Sequence, residues 1–377
     1  MTRTLHAAMA ATLALMATTA ITDTAMAFGE AGPLTLREMG NFTVGGTVSE
    51  PNEKGGVTIS GQSYVGFALP AEQSSEVPLV LIHGGGGQSS DWFSTVDGRD
   101  GWRNYFVNAG IDTYWIDRPG LGRSPSNPAF GPDDAKGMVG QADSTLIAGL
   151  ASSVHWPDAV VPEGEWSREA WTAANATNPG VVSWLSLSTA GPYGGNELAR
   201  QNIVALADRI GPVVLFGHSA GVASTVQAGL TAPEGKVKGL LIFEGGVDIL
   251  SEANRGLGTW EPALPADFAP VDVGGGCMMQ PEGAVSKNLS LANVPVIIIR
   301  SEHGNGTDEA YTCSVNQLKQ AGVDARFIRL VDNGFEGNGH FMMSETNSGE
   351  IATDLLVPII KTLQGQEELP ADWTVIE

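Results

Sequence analysis

Five residues, Gly217-His218-Ser219-Ala220-Gly221, carry the strongest chemical signal in the 377-residue chain. They follow an apolar run at 213–216 and open a segment with helical spacing, so a serine stands on a sharp turn between a strand and a helix. Glycines two residues to either side let neighbouring backbones approach, while Ser219 takes a strained conformation and projects its hydroxyl above the sheet. In a chain with 49 glycines the five-letter pattern alone is weak. The strand, turn and helix context is what makes it specific.

A serine hydroxyl attacks poorly unless a base removes its proton, which turns attention to the histidines. His218 sits inside the turn and cannot fold back onto its own neighbour, His83 precedes a glycine loop, and His155 falls in a long interval between elements. With the order nucleophile, acid, base, His303 and His340 remain. His340, in Gly337-Asn338-Gly339-His340, stands on a turn-rich loop after the last expected strand and before the final helix, and it is the preferred base. The acid can come from either of two strand ends. Glu302 and Asp308 follow the run at 296–299, but the slot three residues beyond Ser301 is Gly304, which has no carboxylate to hold an imidazole. Glu244 ends the run at 240–243, about 4.8 Å from the nucleophile strand, and has the length to reach.

His83-Gly84-Gly85-Gly86-Gly87 follows the first buried run, and glycines allow its backbone to turn an N–H inward. Gly85, together with Ala220 just after the serine, could then donate to the oxyanion of a tetrahedral intermediate. A phosphate cradle is excluded, because neither a Gly-Lys-Ser/Thr ending nor the dinucleotide-binding glycine spacing follows.

These residues need a frame. Short apolar runs at 77–82, 113–116, 213–216, 240–243, 296–299 and 327–331 read as buried strands, preceded by an alternating region at 42–69 expected to be a β-meander. Helical spacing occupies 102–108, 197–210, 222–230, 311–321 and 350–363, the last despite Pro358. Strand alternating with helix predicts an α/β fold, a mostly parallel sheet covered on both faces. Residues 118–196 and 245–293 are too long for simple connections. The first predicts a cap, at about 125–196, and its tryptophans Trp156, Trp166, Trp171 and Trp184 are expected to pack that cap onto the body. The second insertion spans about 247–293, and no internal repeat or linker divides the chain into two domains.

With 20 basic against 42 acidic residues the formal charge is −22, which disfavours nucleic acid or an anionic membrane as partner. Residues 1–27 read as a secretory signal peptide: Arg3, an apolar stretch at 7–21 and a small-x-small site at Ala25-Met26-Ala27. Later residues offer no membrane-spanning run. The oxidising compartment that export implies makes a disulfide the first expectation for Cys277 and Cys313, with no ligand spacing for structural zinc. Neither a metal nor an organic cofactor is called for.

The chain resembles the α/β-hydrolase-fold serine hydrolases over nearly all of residues 28–377. The motifs are HGGGG from His83, WIDRPGLGRS from Trp115 to Ser124, GHSAG around Ser219, and GNGHFMM from Gly337. A narrower likeness is to exported bacterial esterases whose acid is a glutamate on the strand directly after the nucleophile. Shared with these are DWFSTVDGRDGW from Asp91 to Trp102, the strand-end Glu244, and the His340 run. The resemblance implies Ser219 as nucleophile, His340 as base and Glu244 as acid in a carboxylic ester hydrolase acting on small-molecule esters. One member of that group carries two adjacent cysteines where Gly85 and Gly86 stand here, and glycines leave the turn more mobile. An amidase, a lipase, or a non-catalytic binding protein on the same scaffold are the alternatives. An aspartate nucleophile, as in epoxide hydrolases and haloalkane dehalogenases, is excluded by Ser219.

Overall fold

The computed structural model describes residues 29–125, 148–187 and 193–376. The expected signal peptide lies outside these residues, as do 126–147 and 188–192 of the expected cap.

An eight-stranded sheet is built from β1 (Leu36–Val48), β2 (Ile59–Pro70), β3 (Leu79–Ile82), β4 (Thr113–Ile116), β5 (Val213–His218), β6 (Val237–Phe243), β7 (Val296–Arg300) and β8 (Ala325–Arg329). Its spatial order is β1-β2-β4-β3-β5-β6-β7-β8. β1 and β2 pair antiparallel, as do β2 and β4, and every later pair is parallel. The region expected to be a meander is therefore one long hairpin, whose two strands pair almost end to end. Its glycines and exposed alternating residues do not distinguish two long strands from three short ones.

The parallel strands are apolar at nearly every position because both faces are covered. Leu79, Leu81, Val214, Phe216, Leu241, Phe243, Ile297 and Ile299 enter one core cluster, while Val80, Ile82, Val213, Leu215, Leu240, Ile242, Val296 and Ile298 enter the other. This split follows from the two-residue period of a strand. On the first face lie α1 (Trp102–Asn108), α2 (Arg168–Asn175) and α3 (Pro179–Leu187) from the interval expected to form a cap, and a C-terminal helix over Ser348–Glu350, Ile351–Leu356 and Val357–Leu363. Its middle stretch is a π-helix directly ahead of Pro358, an irregularity that accommodates a residue with no N–H to donate. On the other face are α4 (Gly195–Ile210), α5 (Gly221–Thr231) and α6 (Asp308–Gln320).

Residues 247–293 form short two-stranded ladders, Trp260–Glu261 with Lys287–Asn288 and Val271–Asp272 with Met278–Met279. Cys277 and Cys313 are disulfide-bonded, with their Cα atoms 5.6 Å apart, which ties this insertion to α6. Among the described residues no helix is long and apolar enough to cross a membrane, and no cluster of potential metal ligands occurs.

In the described part of the 118–196 interval, Trp156 and Trp171 are fully buried, with indole N–H groups donating to Asn178 Oδ1 and Ser153 O. Trp184 packs on Phe341, next to His340. Trp166 differs: it is 41% exposed and stacks flat on His303, with ring centroids 3.9 Å apart.

Candidate active site

β5 and β6 are neighbours in register, His218 opposite Phe243, so the next residue of each strand emerges at the same edge of the sheet. Those residues are Ser219 and Glu244, and both adopt positive φ, 50° and 57°. Left-handed backbone at non-glycine residues is costly and persists only where the surroundings enforce it. Here Ser219 N–H donates to Phe243 O (2.9 Å) and Glu244 N–H to Ile299 O (3.0 Å), locking each turn onto the adjacent strand. A β-carbon at Gly221 would stand 2.5 Å from His83 O, and one at Gly217 would collide with Thr225. The flanking glycines are thus required by close approach.

His340 reaches this edge from the loop after β8. Its Nε2 accepts from Ser219 Oγ at 2.8 Å and its Nδ1 donates to Glu244 Oε2 at 2.9 Å. His340 is 1% exposed and Glu244 2%. The remaining capacity of the carboxylate is filled: Oε1 accepts from the N–H and hydroxyl of Ser301 (2.6 and 2.8 Å), and Oε2 also accepts from Asn305 N–H (3.2 Å). A buried carboxylate with four donors is held in place.

The other acids are engaged elsewhere. Glu302 accepts from Gly337 N–H at 2.8 Å, and Asp308 pairs with Arg300 and Arg329 at 2.7 and 2.9 Å. Among the other histidines, His303 stacks on Trp166, and His155 Nε2 lies 2.9 Å from Glu336 O. His218 is buried beneath the site with Nε2 3.1 Å from His340 O, and burial holds its pKa well below the ordinary histidine value.

The glycine loop meets the serine turn from β3. A β-carbon at Gly84 would lie 2.8 Å from His218 Nδ1 and 3.2 Å from Ser219 Cβ, so the loop packs against these two side chains with no room for one of its own. Arg118, from the WIDRPGLGRS segment, supports this loop from below. Its Nη2 donates to Gly84 O (2.6 Å), and its N–H donates to His83 Nε2 (3.1 Å). That second bond fixes the tautomer, so His83 Nδ1–H donates to Gly84 O at 2.9 Å. Neither Gly85 N–H nor Ala220 N–H is taken by an acceptor among the described residues.

Supporting residues that the motifs did not single out hold the histidine loop. Glu345 is fully buried, accepts from Gly339 N–H at 2.8 Å and hydrogen-bonds the Asn338 side-chain amide. Burial pushes its carboxyl up to about 7. From the start of α2, Arg168 donates to His303 O, Gly304 O and Asn305 Oδ1 at 3.0, 3.1 and 3.1 Å. An acid five residues past a histidine, or an arginine opening a helix outside any motif, carries no sequence signal of such a role.

This architecture is the α/β-hydrolase fold, and the chain has it. A solved structure described as a novel bacterial esterase superposes with a TM-score of 0.62 at 22% identity, covering 89% of this chain and 99% of that one. A curated relative, a probable secreted lipase, phiG, from a fungal species (strain ATCC 74256), is 27% identical over 322 residues, covering 79% of this chain and 85% of the relative. No family model matches the sequence.

Proposed function

We propose that the protein is a serine hydrolase that cleaves carboxylic esters through an acyl-enzyme. The observation that carries this reading is the continuous hydrogen-bonded line from Ser219 Oγ through the His340 ring to the Glu244 carboxylate, buried at the strand edge. Its nearest competitor, a binding protein on a hydrolase scaffold, gives no reason for two strained strand ends aligned with a buried imidazole.

In the reaction, His340 Nε2 takes the Ser219 proton as Oγ attacks the ester carbonyl, and Glu244 stabilises the imidazolium through Nδ1–H. Oxygen charge on the tetrahedral intermediate is met by the N–H groups of Gly85 and Ala220, on a glycine loop and a serine turn that pack against each other. His340 returns the proton to the leaving alcohol. Water, deprotonated by the same nitrogen, then attacks the acyl-enzyme and frees the acid. None of these steps calls on a metal or organic cofactor.

The names of the relatives, an esterase and a secreted lipase, support an ester substrate over an amide, and the second supports export, which the signal-peptide pattern also favours. A fluorophosphonate probe on purified protein, followed by hydrolysis of chromogenic esters of increasing chain length, tests the reading. Stoichiometric labelling lost in Ser219→Ala supports it, and labelling that survives in that variant contradicts it.

A further inference from the structure

The cap reaches the acid–base pair through one side chain. Arg168, the first residue of α2, spans three acceptors on the loop after β7, and one of them is Asn305 Oδ1. A guanidinium can only donate, so the carboxamide must turn its oxygen to Arg168 and its NH2 the other way. That NH2 faces His340 Nε2 at 3.5 Å, the atom that also accepts from Ser219. A donor aimed at Nε2 suits the neutral ring, whose single Nε2 lone pair it shares with the Ser219 hydroxyl, and opposes the imidazolium, whose Nε2 bears a proton.

We infer that Asn305, oriented by Arg168 of the cap, acts on His340 to favour the neutral, proton-accepting form, so that docking of the cap sets how far into acid the enzyme works. The inference rests on the proposed roles of Ser219 and His340. Asn305 is catalytic in the sense of touching a reacting atom, and Arg168 is a positioning residue acting through it.

The other groups around the ring oppose or leave untouched this effect. Glu244 at Nδ1 favours the imidazolium. His218, with its ring 5.0 Å away, is kept neutral by burial, and the Tyr311 hydroxyl, which donates to Asn305 O, is pushed up by burial and stays protonated. Glu345 and Glu302 meet the loop at the Gly339 and Gly337 N–H groups, and both remain in every variant below.

The test is the pH profile of kcat/KM for a chromogenic ester in wild type, Asn305→Ala, Arg168→Met and the double variant. Loss of the Asn305 donor moves the acidic limb to higher pH by a few tenths of a unit. Arg168→Met moves it at least as far, because the freed amide can turn its oxygen to Nε2. In the double variant the two shifts do not add. An acidic limb unmoved in Asn305→Ala overturns the inference, and additive shifts overturn the role given to Arg168. Asn305→Ala leaves Arg168 its two carbonyl acceptors, so that variant decides the matter even should Arg168→Met fail to fold. Ser219→Ala, assayed alongside, separates the two levels: turnover retained there defeats the reading of the site itself.

Discussion

The carboxylate of Glu244 fills the space that a side chain at Gly304 would occupy. A β-carbon at 304 would stand 2.6 Å from the Glu244 carboxyl carbon and 2.5 Å from Ser301 Oγ. Position 304, which has no carboxylate of its own, receives the Glu244 carboxylate from the adjacent strand. The absence of a side chain at 304 is therefore a requirement of the Glu244 arrangement.

Glu244→Gln is expected to keep the fold and to lower turnover on the order of a thousandfold or more, because the amide favours the wrong imidazole tautomer and leaves the imidazolium uncompensated. Glu302→Gln and Asp308→Asn, whose carboxylates are engaged away from His340, are expected to cost little. Steady-state kinetics on the three variants check this. A crippled Glu302 or Asp308 variant beside an active Glu244→Gln would reverse the assignment.

Gly304→Ala removes no reactive group, yet it is expected to lower kcat by about tenfold or more, since the added methyl must displace the Glu244 carboxylate. Combining Gly304→Asp with Glu244→Gly moves the acid to the other strand end and is expected to recover activity over Glu244→Gly alone. Equal kcat for Gly304→Ala and wild type would show that the close approach of these residues has no catalytic weight.

Much of this was legible in the sequence, for identifiable reasons. Parallel strands buried on both faces read as short apolar runs, so their positions along the chain are legible, and the glycine-flanked turn with its chain order singles out Ser219, Glu244 and His340 as candidates, which lie within hydrogen-bonding distance of one another. Elimination at Gly304 pointed to Glu244 without indicating how tightly the two fit. Asn305, Ser301 and Arg168 were not legible, because their roles depend on hydrogen bonds across elements distant in the chain, which leave no periodicity or spacing. The region expected to be a meander is a hairpin, and its exposed, glycine-containing first strand carries little register information to tell the two apart.

Glu345 gives a stability signature. The ordinary glutamate value is 4.5, and burial pushes the folded residue up to about 7. Between those values the folded protein holds a proton that the unfolded chain has released. Its contribution to stability is full below about pH 4.5 and is lost as pH rises through about 7. Denaturant unfolding at pH 5 and pH 7.5 should show wild type losing up to ~3 kcal/mol more than Glu345→Gln between the two. Equal losses would contradict the pH role given to this buried carboxylate.

Breaking the Cys277–Cys313 link, which closes a loop of 36 residues in sequence separation, is expected to cost roughly 3 to 4 kcal/mol by the chain-entropy model, less any strain relieved. Unfolding midpoints of Cys277→Ser with Cys313→Ser, set against wild type, measure it. Because neither cysteine hydrogen-bonds Ser219, His340 or Glu244, kcat should change little at a temperature where both proteins are folded. An unchanged midpoint would refute a stabilising role.

The acyl-enzyme is the central claim, and mass analysis of acid-quenched protein during turnover of an activated ester tests it most directly. The account predicts a mass increase equal to one acyl group, located on the peptide containing Ser219, absent from Ser219→Ala, and accompanied in that variant by a loss of turnover of several orders of magnitude. An adduct on another residue, or turnover near wild type in Ser219→Ala, would contradict it.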